Sequence, residues 1–178
     1  KPFFEHSGGG VTLTGGEVTY QADFAAAVLA GCQARGIHTA IETCGACNWP
    51  RLEQLIHHTD LVLYDLKLID EDAHRRWTGA SNRGILQNAA KLAGYNVWVR
   101  VPLIPNITDT EENLIGIFRF MRRVGLPYVE LLPYNPSASA KYEWLGLTYT
   151  IEGEPQSRDS LDSFVEMAQG EGLEASIG

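Results

Sequence analysis

The sequence predicts a parallel α/β sheet rolled into a partial (β/α) barrel. Three observations carry this reading. Short β-branched runs recur along the chain, segments with helical periodicity separate them, and the resulting alternation requires right-handed parallel crossovers. At 178 residues with 44% hydrophobic composition the chain suffices for one domain, residues 1–178, with one substantial core. Six strand candidates are fewer than the eight of a closed (β/α)₈ barrel, so a partial or open barrel fits better.

In chain order the strands are expected at Val11–Thr14, Ile37–Thr43, Leu61–Lys67, Val97–Pro102 and Val129–Pro133, with a weaker one at Leu173–Ile177. Gly8–Gly10, ahead of the first, read as a flexible connection. Between strands, Leu114, Ile117, Phe118 and Met121 repeat at i, i+3, i+4 and i+7, and Leu161, Phe164, Val165 and Ala168 repeat the stripe. Thr108 with Glu111 has capping-box spacing, and Gly125 supplies a left-handed stop for the same helix. Cys32 falls inside a helix, His57 and His58 lie late in another, and Trp77, Trp98 and Trp144 are read as packing residues.

A formal charge of −8 disfavours a nucleic-acid backbone as partner. There is no signal peptide or long apolar span, so no membrane partner is expected, and three cysteines form no regular framework. A reduced, cytoplasmic setting is the expectation. The opening Lys1-Pro2-Phe3-Phe4 lacks an initiator Met and points to a cut within a longer protein.

Ligands of parallel α/β folds bind at the carboxyl ends of strands. Those ends carry Gly15-Gly16-Glu17, Glu42-Thr43, Asp65-Leu66-Lys67, Arg100 with Pro102, and Tyr134-Asn135. Gly15 and Gly16 let backbone approach a ligand closely, or simply make a turn. Asp65 and Lys67, two apart on a strand, share a face, while Leu66 points the other way. They are either an ion pair or a ligand site, and Glu42 on the neighbouring strand favours the second by adding another carboxylate. Cys44 and Cys47 form a C-x-x-C without further ligands, so the thiols read as inert and no protein metal site is expected.

The ordered series Ser7-Gly-Gly-Gly-Val-Thr-Leu-Thr-Gly-Gly-Glu17, Gly36-Ile-His-Thr-Ala-Ile-Glu-Thr43, Tyr64-Asp-Leu-Lys67, Trp98-Val-Arg-Val-Pro102 and Leu131-Leu-Pro-Tyr134 resembles the activating enzymes of glycyl radical enzymes. These form a radical S-adenosylmethionine (SAM) family with a (β/α)₆ partial barrel, which includes pyruvate formate-lyase activating enzyme. The resemblance implies a [4Fe–4S] cluster that cleaves SAM reductively, and a 5′-deoxyadenosyl radical that takes a hydrogen from a backbone glycine of the partner enzyme. It also implies an electron donor such as flavodoxin or ferredoxin. The family's C-x₃-C-x₂-C motif is missing, so the chain is read as lacking the first, cluster-bearing unit of the barrel and as inactive alone.

Carried over by motif, the cofactor-binding set is Gly15, Gly16, Glu17, Glu42, Thr43, Asp65, Leu66, Lys67, Arg100 and Asn135; no residue is singled out as catalytic. Gly16 would accept the methionine amino group through its backbone and Glu17 would hold the turn. Glu42 and Asp65 match acidic positions that can also hold a monovalent cation, and Lys67 and Arg100 would act on polar parts of the cofactor. Three departures stand out: Glu42 where Asp is frequent, Asn135 where His is frequent, and Val18 where Pro is frequent. A Schiff-base aldolase using Lys67 and a non-catalytic cofactor-binding fragment are the alternatives. Asp65 and Glu42 weigh against the aldolase because nearby carboxylates raise a lysine pKa.

Overall fold

A computed structural model of the chain describes residues 4, 8–137, 144, 146, 148–149, 151 and 153–178. Ser7, which opens the first motif, and Lys1 to Phe3 lie outside the described residues. Six parallel strands form one sheet in the order β1-β2-β3-β4-β5-β6: Gly10–Leu13, His38–Thr43, Leu61–Asp65, Val97–Pro102, Tyr128–Leu132 and Glu174–Ile177. All six expected strands are present; Val97–Pro102 has the expected bounds, and the others differ by at most two residues at an end. Among the described residues, a 3-10 helix at Val18–Gln21 precedes α1 Ala22–Gln33, and further α-helices are α2 Trp49–Ile56, α3 Glu71–Thr78, α4 Arg83–Lys91, α5 Glu111–Val124 and α6 Arg158–Gly170.

Strict alternation sorts the side chains. On β4, Val97, Val99 and Val101 are buried, while Trp98, Arg100 and Pro102 face the other way and keep some exposure. The buried set joins Ile41, Val62, Tyr64, Val129 and Leu131 beneath the helices, where Leu29, Leu52, Leu55, Leu114, Ile117, Phe118 and Met121 are also excluded from water. Sequential strand order with right-handed crossovers puts successive helices on the same side of the sheet. The opposite side keeps Glu42, Asp65 and Arg100: Asp65 pairs directly with Arg100, and Glu42 pairs with Leu63, two residues before Asp65 on the same face.

Helix ends follow the sequence with one exception. Gly125 ends α5 in the left-handed conformation, as anticipated. The N-cap, however, is Thr110, whose hydroxyl accepts from the Asn113 amide. Thr108 is buried, donating to the Pro102 carbonyl and accepting from the Ile104 amide at 2.6 Å. A threonine two residues before the cap is thus spent on shaping the β4–α5 loop.

Two further readings are corrected. Gly10 is the first residue of β1, where a Cβ would meet the His38 carbonyl oxygen at 2.2 Å, so a strand contact and not flexibility requires it. Trp77 and Trp144 are 50% and 84% exposed and do not pack in the core, whereas Trp98 stacks on Tyr128 with centroids 4.5 Å apart.

A polar knot anchors the loop after β2. The buried Tyr64 hydroxyl donates to the Ile85 carbonyl at 2.7 Å, and Asn88 donates to the carbonyls of Gly45 and Cys47. Gly45 sits at φ +67° with its Cα against the Tyr64 ring, where a Cβ would lie 1.8 Å from the hydroxyl. We predict that Gly45→Ala destabilises by more than about 1–3 kcal/mol, because backbone strain of that size adds to the clash, while Tyr64→Phe costs about 1–2 kcal/mol for the lost bond. Urea unfolding of the two variants measures both, and a smaller loss for Gly45→Ala than for Tyr64→Phe would contradict the packing described.

Candidate cofactor site

The carboxyl ends of β1, β2 and β3 enclose a cavity of about 200 Å³ lined by Thr14, Gly15, Gly16, Glu17, Glu42, Thr43, Cys44, Asp65 and Lys67. A Cβ added at Gly15 or Gly16 would meet no protein atom within 4 Å. The Gly-Gly turn therefore presents bare backbone to the space it lines.

Glu17 ties this turn to the end of β2. Its Oε1 accepts from the Thr19 amide (3.2 Å) and from the hydroxyls of Thr19 (2.9 Å) and Thr43 (2.7 Å). Its Oε2 accepts from the Cys44 amide (3.1 Å) and the Cys44 thiol (3.2 Å). Burial alone would raise the Glu17 pKa, but the bonds from Thr43, Cys44 and Thr19 outweigh it and hold the carboxyl below its ordinary value. Cys44 and Cys47 shift upward, chiefly through burial and also through the nearby Glu17 carboxylate. Thiols so placed are poor nucleophiles.

Arg100 joins the two other acids. Its Nε and Nη2 donate to Asp65 Oδ1 at 3.0 and 2.9 Å, and its Nη1 donates to Glu42 Oε1 at 3.0 Å. Burial works against the Arg100 charge, and the bonds and charges of Glu42 and Asp65 reverse that, moving its pKa up. Lys67 Nζ stands 3.7 Å from Asp65 Oδ2. The pair foreseen for Asp65 and Lys67 is present, yet the closer partner of Asp65 is Arg100, from the neighbouring strand. Two carboxylates and two cations make the group formally neutral.

The structure brings Gly15, Gly16, Glu17, Glu42, Thr43, Asp65 and Lys67 to one cavity and sets Arg100 against its acidic wall. Leu66 is buried in the core. Asn135 is exposed beyond β5, and its Oδ1 accepts from the amide and hydroxyl of Ser137. Thr14 and Cys44 also line the cavity and were not anticipated; the period of two would have placed Thr14 beside Glu42, because Thr12 pairs with Ala40.

Residues 3–118 match the profile of the Radical SAM superfamily. The chain belongs to the radical SAM superfamily. Within it, the chain is 37% identical over 172 residues to a pyruvate formate-lyase-activating enzyme of Clostridium pasteurianum, covering 93% of this chain and 72% of the relative. It is 42% identical over 170 residues to a choline trimethylamine-lyase activating enzyme of Oleidesulfovibrio alaskensis, covering 90% of this chain and 54% of the relative. The chain thus spans about half the length of that relative, and 56% of a similar trans-4-hydroxy-L-proline dehydratase activating enzyme of Clostridioides difficile. A crystal structure of a domain of pyruvate-formate lyase-activating enzyme from Bacteroides vulgatus superposes with a TM-score of 0.80 at 25% identity, covering 96% of this chain and 99% of that one. The radical SAM partial-barrel fold follows.

Membership implies SAM and a [4Fe–4S] cluster, and the two fare differently here. A polar cavity with bare glycine backbone, carboxylates and an ammonium group suits the amino-acid end of SAM. The thiols do not suit a cluster. Cys32 lies near the end of α1, which leads into the start of β2, while Cys44 and Cys47 follow its end; six strand residues separate the two levels by about 20 Å. Among the described residues no group of three or more His, Cys, Asp or Glu could hold a metal ion, and no helix is long and apolar enough to cross a membrane.

Two outcomes are expected. Anaerobic reconstitution of this chain with iron and sulfide yields no stoichiometric [4Fe–4S] absorbance, because a cluster needs three or four converging thiolates; iron and sulfide binding in cluster ratio would overturn the thiol placement. Glu17→Gln lowers stability at pH 7 by about 2–3 kcal/mol, since an amide cannot accept at both positions. With a depressed folded pKa, the Glu17 contribution is complete above the unfolded carboxylate pKa and lost as pH falls through the folded value. Acid unfolding of Glu17→Gln should therefore lack part of the wild-type loss.

Proposed function

We propose that this chain forms the SAM-holding part of an activating enzyme that installs a glycyl radical on a partner enzyme. The observation that carries the reading is the joining of bare Gly15–Gly16 backbone with Glu42, Asp65 and Lys67 around one cavity at the carboxyl ends of adjacent parallel strands.

The amino-acid end of SAM carries an ammonium and a carboxylate beside a sulfonium. Glu42 and Asp65 offer anions to the ammonium and sulfonium, Gly16 backbone offers a hydrogen-bonding edge, and Lys67 offers a cation to the carboxylate. Arg100 bonds both acids and keeps them spaced. Glu17 and Thr43 keep the Gly-Gly turn in register with β2. Leu66, buried in the core, contributes through backbone alone, and the Asn135 amide can bond a ribose or adenine edge.

SAM supplies a 5′-deoxyadenosyl group for radical chemistry; the cluster that would cleave it belongs to a segment outside this chain, with a flavodoxin or ferredoxin as electron source. The names of the relatives support a glycyl radical enzyme as partner, and this chain by itself is inactive.

Calorimetric titration of the chain with SAM tests the reading. Binding is expected for the wild type, weakened at least about tenfold by Asp65→Asn and by Lys67→Met, the loss of a charge-assisted contact in each case. The thermal midpoint of Lys67→Met should move by only a few degrees, whereas Asp65→Asn also takes an anion from Arg100 and should lower it further. A merely structural pair behaves differently: breaking one member is costly and the double substitution restores stability. A double variant that regains stability and binds SAM like the wild type would assign the pair to the scaffold.

A further inference from the structure

We propose that Thr14 is a positioning residue of the SAM site, acting through Glu42, whose second carboxylate oxygen it holds while Arg100 holds the first. The inference rests on the cofactor reading above. Thr14 Oγ1 donates to Glu42 Oε2 at 2.5 Å, and Arg100 Nη1 donates to Oε1 at 3.0 Å.

The register explains why two holders are needed. Across the β2–β3 boundary Glu42 faces Leu63, and across β3–β4 Arg100 faces Asp65. The guanidinium therefore reaches Glu42 past an intervening strand while its Nε and Nη2 are committed to Asp65. A single tether would leave the glutamate free to rotate about it, and glutamate has more rotamer freedom to lose than aspartate. Thr14 pulls from just past the end of β1, on the opposite side from Arg100. Gripped at both oxygens, the Glu42 carboxylate keeps one orientation toward the cavity that Thr14 also lines.

The charged groups around Glu42 are Arg100 from β4, Asp65 and Lys67 from the end of β3, and Glu17 from the β1 turn. Burial raises the Glu42 pKa, and the bonds from Thr14 and Arg100, with the Arg100 charge, bring it below the ordinary value.

Two measurements decide the matter. The first needs no cofactor: the three-bond side-chain couplings of Glu42 at pH 7 should report one rotamer in the wild type, averaged rotamers in Thr14→Val and one rotamer again in Thr14→Ser. The second is a double-mutant cycle on SAM affinity with Thr14→Val and Glu42→Gln. Thr14→Val alone should weaken binding about three- to tenfold, the range of a partly exposed charge-assisted bond, and Thr14→Ser should restore it. In the Glu42→Gln background Thr14→Val should change affinity less than twofold.

Equal losses in both backgrounds would mean that Thr14 touches the cofactor itself, and unchanged Glu42 couplings in Thr14→Val would mean that the bond does not hold Glu42; either result overturns the proposal. Failure of the wild type to bind SAM while the Glu42 couplings change as expected would sink the cofactor reading and leave the Thr14–Glu42 contact standing.

Discussion

The constraint behind the rest of the molecule is sequential strand order in a parallel sheet. Each right-handed crossover returns on the same side, so the helices and the apolar core occupy one face. The other face is then the place where charge can be tolerated. Arg100 shows the consequence on one strand: its neighbours Val99 and Val101 are fully buried, and it points the opposite way with only 13% of its side chain exposed. A guanidinium that dry needs anionic partners, and Glu42 and Asp65 supply them from β2 and β3.

The site has two polar layers that meet at the end of β2. Glu42 belongs to the acid–base group with Arg100, Asp65 and Lys67, whereas the next residue, Thr43, donates to Glu17 and accepts from the Gly45 amide. The Glu17 layer fixes backbone, and the Glu42 layer fixes charge. Because Tyr64 and Asn88 brace Gly45 from the helix side, the geometry of the cavity is set partly by residues that never face it.

Much of this was legible in sequence because periodicity reports faces. The alternation in Val97–Pro102 and the β-branched runs located every strand, and the Gly-Gly-Glu, Glu-Thr and Asp-Leu-Lys strand ends located the cavity. Cross-strand choices were less visible. Asp65 has a partner candidate two residues away in Lys67, and only the register reveals Arg100 as the nearer one. Thr108 shows a similar limit, since its capping spacing with Glu111 is real but a carbonyl and an amide in the preceding loop compete for the same hydroxyl. Aromatic exposure was equally hidden, because Trp77 and Trp98 look alike until their neighbours are known.

β1 is at one end of the sheet, and its four residues Gly10–Leu13 carry neither charge nor proline. Strand edges in proteins are commonly blunted by Lys, Pro or bulges, since a row of free amides and carbonyls is a template for any other strand. Beside this edge a groove of about 270 Å³ runs between Leu13 and the exposed rings of Tyr20 and Phe24. An unblunted edge next to greasy aromatic rings is adhesive: either a further strand and helix cover it, or copies of the chain stick to one another there, and solubility at high concentration depends on which occurs.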